Sequence, residues 1–521
     1  ARKYIQRVMK ELYHQNVSDV DANALAESLH CLPLALAQAV YTIQDAMSIP
    51  DYIQLYNESL SERKLLLNSC VFDQDNYKKT VFTTWDISRR KIERLSAKAA
   101  RVYAFISLLS AENMPKSFFN GVLCESMGDV HRTLKILADH SLIRYTSGDK
   151  PNDSIVIHRL QQEVVRIHLS DQEQILGLLN DVVAAFDCFG LYDGTIESLV
   201  RARPYVPHVR EMLHLAEEHG LDASPQLFKL YAQLGSVLGR QDNYDEARPY
   251  FDKAKGLSNT VRLDQQSYLR FLSELGYYAQ YSNINRIEVA EKVLKSYEDH
   301  VSKKPEALIT DTEIYLMCIA SAMCIGTGNY PKANEISARL VKLKQMQQPQ
   351  FKERLAIAYI DYAIKSYKIF KRYDTAIDHL LKCDAIYTEY FKNAHPDQYL
   401  FHTVRGEMYL SIDNHEMATH DFMFTINNHQ RYPAVVHAHL YLSRSYLGMA
   451  KILHQSEEKE QLEQAKSYAN ASITAQKKLG FDKVGELATI HPKMQEALTL
   501  LESIEDKLAC LLAPTMSKFG H

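Results

Sequence analysis

The chain has 521 residues, with 60 Lys+Arg against 64 Asp+Glu and a formal charge of −4. That balance argues against sequence-independent nucleic-acid binding, which needs surplus cations to displace counterions from phosphates. A hydrophobic content of 46%, a charged content of 24% and only 18 glycines and 15 prolines describe a foldable chain with few breakers, so helices joined by short turns are expected.

The eight cysteines are scattered, with no C-x-x-C pair. This speaks against a disulfide framework or zinc knuckle and fits a reducing, cytoplasmic setting. No run approaches the roughly 18 apolar residues of a membrane span, so no membrane partner is expected. The opening ARKYIQRVMKEL reads as an amphipathic helix, because charges interrupt its apolar positions. The chain opens at Ala1 without a Met and reads as part of something longer.

In chain order, residues 22–43 (ANALAESLHCLPLALAQAVYTI) give a helical pattern broken by Cys31-Leu32-Pro33, with Pro33 tolerated just inside a helix start. Then come VFTTWDISRRKIERL (81–95), AARVYAFISLLSAENMPKSFF (99–119), HRTLKILADHSLIRY (131–145) and SIVIHRLQQEVVRIHL (154–169). Three helices followed by two β-rich runs, SLIRY and SIVIH, make a winged-helix order, with Trp85 as a core residue. In the third helix only His131, Arg132 and Lys135 are cationic candidates, which argues against DNA reading.

The second half is periodic. Ala247, Ala290, Ala333, Ala376, Ala418 and Ala465 recur at intervals of 43, 43, 43, 42 and 47. Around them, Leu234 and Gly235, Leu275 and Gly276, and Gly406 and Tyr409 occupy equivalent places on a first helix. Tyr244, Tyr330 and Tyr373 stand at the turn to the second, and Phe251, Leu294, Leu380 and Phe422 lie on that second helix. Each such hairpin cannot bury its apolar face alone, so neighbours must stack. The stretch from Asp482 to near Leu512 reads as a capping helix or pair.

These repeats resemble the tetratricopeptide family, in a long form like that of kinesin light chains, although the usual Trp is absent from all six. The N-terminal segments resemble the NB-ARC (STAND-class) signalling ATPases in the branch carrying such repeats. LHCLPLALAQA is similar to that family's G-L-P-L-A segment, with Cys31 where Gly is usual. TTWDIS and IVIHRLQQEVVR are similar to the start and end of its winged helix. Ile157-His158-Arg159 stands at its M-H-D sensor, with Arg159 replacing the acid. PYVPHVREMLHLAEEHG (204–220) is similar to the helical bridge before the repeats.

The resemblance implies an all-α fold with a small β wing: a helical subdomain over 1–66, a winged helix over 67–170, a helical bridge over 171–222, about six repeats in a right-handed superhelix over 223–482, and a cap and tail over 483–521. It further implies that Pro33 borders the adenine and His158 the β-phosphate of an ADP or ATP held by an upstream core. No G-x-x-x-x-G-K-S/T occurs here, so the chain reads as non-catalytic and carries no cofactor of its own. Without the motif, His158 beside Ile155 and Ile157 reads as an ordinary packing residue. His415 and His420 are five residues apart and face away from each other on a helix, so a repeat turn is preferred over zinc. Cys318 and Cys324 read as core thiols.

Function is expected on the concave face. By the family's lining positions this gives Lys229 and Arg240, then Arg270, Tyr277 and Tyr281, then Tyr315, then Asp361, Lys365 and Lys368, then Glu407, and finally His437 and Arg444. Six cations against two acids would suit an extended, carboxylate-bearing protein or peptide. Two readings follow. One is the regulatory, partner-sensing portion of a switch ATPase that forms homo-oligomers when activated. The other is a constitutive repeat adaptor without nucleotide switching.

Overall fold

The structure is a computed structural model that describes residues 1–29, 31, 33–43, 47–57, 76–111, 113–123, 127–146, 154–169, 172–193, 196–241, 243–282, 286–343, 352–391, 397–429, 438–479 and 492–512. Among these the fold is all-α with one small β sheet, and it divides into two bodies, residues 1–193 with 201–230, and 194–200 with 231–521.

The N-terminal body opens with helices Arg2–Tyr13, Asp19–Ser28 and Pro33–Ile43, whose apolar faces meet around Ile5, Met9, Leu25, Leu36, Val40 and Tyr52. Ser18 caps the second helix by accepting from the Asp21 amide at 3.0 Å. The TTWDIS segment lies in helix Asn76–Leu95, where Thr84, Trp85, Asp86, Ile87 and Ser88 are all buried. Trp85 is a core residue as expected, and its indole donates to the Tyr103 hydroxyl at 2.8 Å. Asp86 keeps its buried charge matched to Arg89 at 3.1 Å and Arg90 at 3.0 Å.

The two expected β runs pair: β2 (Arg144–Tyr145) lies antiparallel to β3 (Ser154–Val156), with Tyr145 opposite Ile155. The sequence reading missed a third strand, β1 (Met114–Pro115), on the other side of β3, giving the order β1-β3-β2. Asn113 turns the chain with φ 54°, so the expected element over 99–119 becomes helix Ala97–Ser107, a strand and helix Lys116–Leu123. Pro115 lacks an N–H but sits in an edge strand, where that absence is tolerated. Helices Gln172–Phe189 and Val206–Glu218 follow, and Phe118 packs on Phe186 at 4.6 Å between ring centres.

The second body is a solenoid-like stack of helical hairpins. Their pairs are Pro225–Arg240, of which residues 231–240 belong to this body, with Tyr244–Ser258, Gln265–Tyr281 with Arg286–His300, Asp311–Gly326 with Tyr330–Lys342, Lys352–Lys368 with Tyr373–Phe391, Gln398–Leu410 with His415–Asn428, and Ala438–His454 with Lys459–Lys478. Helix Pro492–Leu512 closes the stack and packs on the last hairpin through Ile504 and Leu508. All six periodic alanines are no more than 1% exposed. A methyl at these positions lets the second helix approach its neighbours closely, which is why the period was visible. Gly406 serves the same end, because a Cβ there would lie 2.7 Å from the ring of buried Phe422.

Candidate functional site

First helices of consecutive repeats place their cationic and aromatic side chains around a cavity of about 170 Å³. Of the residues expected to line the repeats' inner face, Arg240, Arg270, Tyr277, Tyr315, Asp361 and Arg444 border it. Tyr315 is the centre. Its hydroxyl accepts from Arg240, and the guanidinium carbons of Arg270 and Arg354 lie 5.0 and 5.5 Å from its ring centroid. Arg240 also sits 3.6 Å from the Tyr277 ring centre. Such stacking leaves the planar forks oriented and half-desolvated, which favours bidentate contact with a carboxylate.

Glu274, 4% exposed, stands behind the arginines, 3.4 Å from Arg240 and 3.5 Å from Arg270. It offsets part of the repulsion between those two without joining the wall, and Arg354 donates to the Asp311 carboxylate and, at 3.0 Å, to the Asp311 carbonyl. Asp361 does join it. Burial pushes its carboxyl up to about 6, against the pull of Lys365 one turn on, so this acid is weakly held in its charged form near neutrality, and Glu353 is a second acid on the same wall. Cys318 lies on the same wall, and burial holds it as a thiol by pushing it up to about 12. Cys318 and Cys324 are both buried, in keeping with core packing.

Other expected lining residues go elsewhere. Lys365 is a correction: it is 1% exposed and turns between helices, donating to Ser321 Oγ at 2.7 Å, to the Ala333 carbonyl at 3.1 Å and to Ser337 Oγ. The small residues of the third hairpin leave room for its stem, so it cannot meet a ligand. Lys229 lies 3.7 Å from Asp187 and borders neither this cavity nor the one described below. Lys368 is exposed and joins Arg444 on Glu407, each at 2.8 Å. Burial opposes the Glu407 charge, but Arg444 and Lys368 outweigh it and hold the carboxyl well below its ordinary value. The Tyr281 side chain and His437 lie outside the described residues.

Arg354 was missed, yet it was findable. It precedes Asp361 by seven residues, which returns a helix to the same face. The zinc-like pair resolves as the preferred turn: Asn414 accepts from the Met417 amide at 3.2 Å and helix His415–Asn428 begins there.

In the N-terminal body Pro33 is exposed at the first position of helix Pro33–Ile43, and Cys31 before it has φ 55°. Ile155 and Ile157 are core, but His158 is exposed at the start of helix Arg159–His168, which corrects its reading as a packing residue. Desolvation, then Arg144, lowers the His158 imidazole below its ordinary value. On the helix Met127–Asp139, His131, Arg132 and Lys135 are exposed, and Arg132 pairs with Asp129.

No family model matches the chain, and no curated protein does. Among solved structures it is similar to a signal transduction ATPase with numerous domains (STAND) protein with a tetratricopeptide repeat sensor from Pyrococcus horikoshii. The identity is 15% and the TM-score 0.32, over 86% of this chain and 72% of that one. No helix among the described residues is long and apolar enough to cross a membrane. At that TM-score, the functional reading rests on the chain's own residues.

Proposed function

We propose that the repeat body is a partner-binding sensor and that its Tyr315 cavity is the primary contact for a carboxylate-bearing protein segment. The observation that carries this is the meeting of Arg240, Arg270 and Arg354, from three different hairpins, around the single ring of Tyr315. Planar cations already stacked on aromatic faces lose little freedom when they take up a carboxylate.

In the fuller reading this is the regulatory portion of a STAND-type switch. The small β wing and the helices before it help hold a nucleotide-bound core shut, and partner binding releases it to assemble. Pro33 and His158 then border the ADP or ATP of that core, and neither has a role in a chain that works as a constitutive adaptor. Moving such a switch from almost closed to almost open needs a ligand preference of about 5.5 kcal/mol for the open form.

The direct test is fluorescence anisotropy with a labelled glutamate-rich peptide. The wild-type chain should bind it, and Arg270→Glu with Arg354→Glu should abolish binding, with circular dichroism at the assay temperature showing that the double variant is still folded despite the ion pairs with Glu274 and Asp311 that it loses. Equal binding by both proteins removes the cavity from the account. The switch reading is separated from the adaptor by the mass of the native protein in its source cells: a species well above 59.8 kDa favours the switch, and one at that mass favours the adaptor.

A further inference from the structure

The repeat body holds a second cavity, of about 590 Å³, walled by the first helices of its last three hairpins and by the closing helix. Its charges form two matching groups. Glu407 accepts from Lys368 Nζ and from Arg444 Nε, both at 2.8 Å. Glu496 accepts from Lys451 Nζ at 2.5 Å and from Lys493 Nζ at 3.2 Å. Each group is one carboxylate between two cations, so each keeps one positive charge in excess. Lys371, exposed on the same wall, adds a third.

This excess is local, since the whole chain carries −4. The two groups also feel each other. On Lys368 the Glu407 carboxylate acts to raise the pKa, but desolvation together with Arg444 and Lys493 outweighs it, and the ammonium is held below its ordinary value. Closely placed cations that repel one another are what a multiply charged anion relieves. The side chains of Lys368, Lys451 and Lys493 are 42%, 38% and 39% exposed, so each ammonium can be reached by a ligand.

We infer that this cavity binds a compact, phosphate-bearing polyanion of about three negative charges. Four of its five cations are lysines, compact point charges that suit phosphate oxygens arriving from several directions, whereas the Tyr315 cavity is walled by planar arginine forks. A volume of about 590 Å³ lies in the usual range for small-molecule sites. Glu407 and Glu496 act as fixed struts that hold the cations apart when the cavity is empty and keep the site from taking up carboxylates indiscriminately.

The test is titration calorimetry on the full chain with inorganic tripolyphosphate, at low and at raised salt. Wild type should bind, more weakly as salt rises, and citrate, a compact tricarboxylate, should bind at least tenfold more weakly. Lys451→Gln with Lys493→Gln should cost tenfold or more in affinity. Lys382→Gln, an exposed lysine paired with Asp378 at 2.6 Å and outside the cavity wall, should cost nothing. Should the double variant fail to fold, Lys371→Gln on its exposed loop reads the same site. Silence in the wild type, equal affinity for citrate, or an equal loss in Lys382→Gln overturns the inference. Tyr315→Ala should leave tripolyphosphate binding intact, so the fate of this site and that of the peptide site are read separately.

Discussion

The Arg240 guanidinium carbon lies 3.6 Å from the centre of the Tyr277 ring, while the same side chain donates to Tyr315 and stands 3.4 Å from Glu274. One arginine therefore ties together the first three hairpins of the stack. Its orientation depends on a ring below, a hydroxyl ahead and a carboxylate behind. A peptide carboxylate arriving at the cavity meets a cation whose direction is already set.

That arrangement separates the two parts of Tyr315. Tyr315→Phe removes the hydroxyl that Arg240 uses but keeps the ring that faces Arg270 and Arg354, so glutamate-peptide affinity should fall by only a few fold. Tyr315→Ala removes both and should cost about tenfold or more, at roughly 0.5–2 kcal/mol for each lost cation–ring contact. Anisotropy with the same labelled peptide ranks the three proteins. If Tyr315→Ala binds as tightly as wild type, the ring is not an organiser of the site.

Phe422 is held between two glycines. A Cβ on Gly406 would lie 2.7 Å from its ring and one on Gly448 2.4 Å. Gly448→Ala should therefore destabilise the fold by about 1–3 kcal/mol through overpacking, and pairing it with Phe422→Leu should recover part of that loss. Urea midpoints of the single and double variants check this, and strictly additive losses would show that the ring and the glycine do not compete for space.

These contacts show why so much of the stack was legible in sequence. Ala247, Gly406 and Phe422 recur because each hairpin repeats the same steric problem, and a fixed period makes that problem visible. The lining positions came from the resemblance to the tetratricopeptide family and not from the period itself, and Arg240, Arg270, Tyr277, Tyr315, Asp361 and Arg444 do border one cavity. Lys365 was not legible, because the space it enters is made by Ser321, Ala333 and Ser337 of the previous hairpin, and no local pattern announces a gap between helices. Lys493 belongs to the closing helix, outside the period, so nothing in the repeats pointed to it. β1 is two residues long, too short to carry an alternation.

Cys31 stands at φ 55°, in the left-handed region, just before helix Pro33–Ile43, and its amide closes the preceding helix by donating to the Ala26 carbonyl at 2.8 Å. A side chain with a Cβ costs roughly 1–2 kcal/mol in that conformation, whereas glycine enters it freely and loses more chain entropy on folding. Cys31→Gly should thus stabilise the N-terminal body by about 0.5–1 kcal/mol, and Cys31→Ala should leave stability nearly unchanged. Thermal denaturation of the two variants distinguishes backbone strain from a role for the exposed thiol, since a thiol role would make both variants behave alike.

Lys365 and Asp361 give the repeat body a pH dependence of calculable sign. Burial pushes the lysine down to about 8 from 10.5, against the pull of Asp361, and pushes Asp361 up to about 6 from 3.8, against the pull of Lys365. The lysine's folded value is depressed, so the unfolded chain binds its proton more tightly and stability should rise with pH between about 8 and 10.5. Asp361 is raised, so its contribution is fully present below 3.8 and is lost as pH rises through about 6. Cys318 and Cys324, raised to about 12 and about 11, pull the other way above pH 9, because their contribution is lost as pH climbs through those values. The informative quantity is therefore the difference between wild type and Lys365→Met, in which both thiols are retained. Urea unfolding at pH 7, 8, 9 and 10 should show that difference moving in favour of wild type across the upper half of the range. A difference that stays flat from pH 8 upward would mean that Lys365 folds without a depressed proton affinity, and that its hydroxyl and carbonyl partners fully replace the water it leaves.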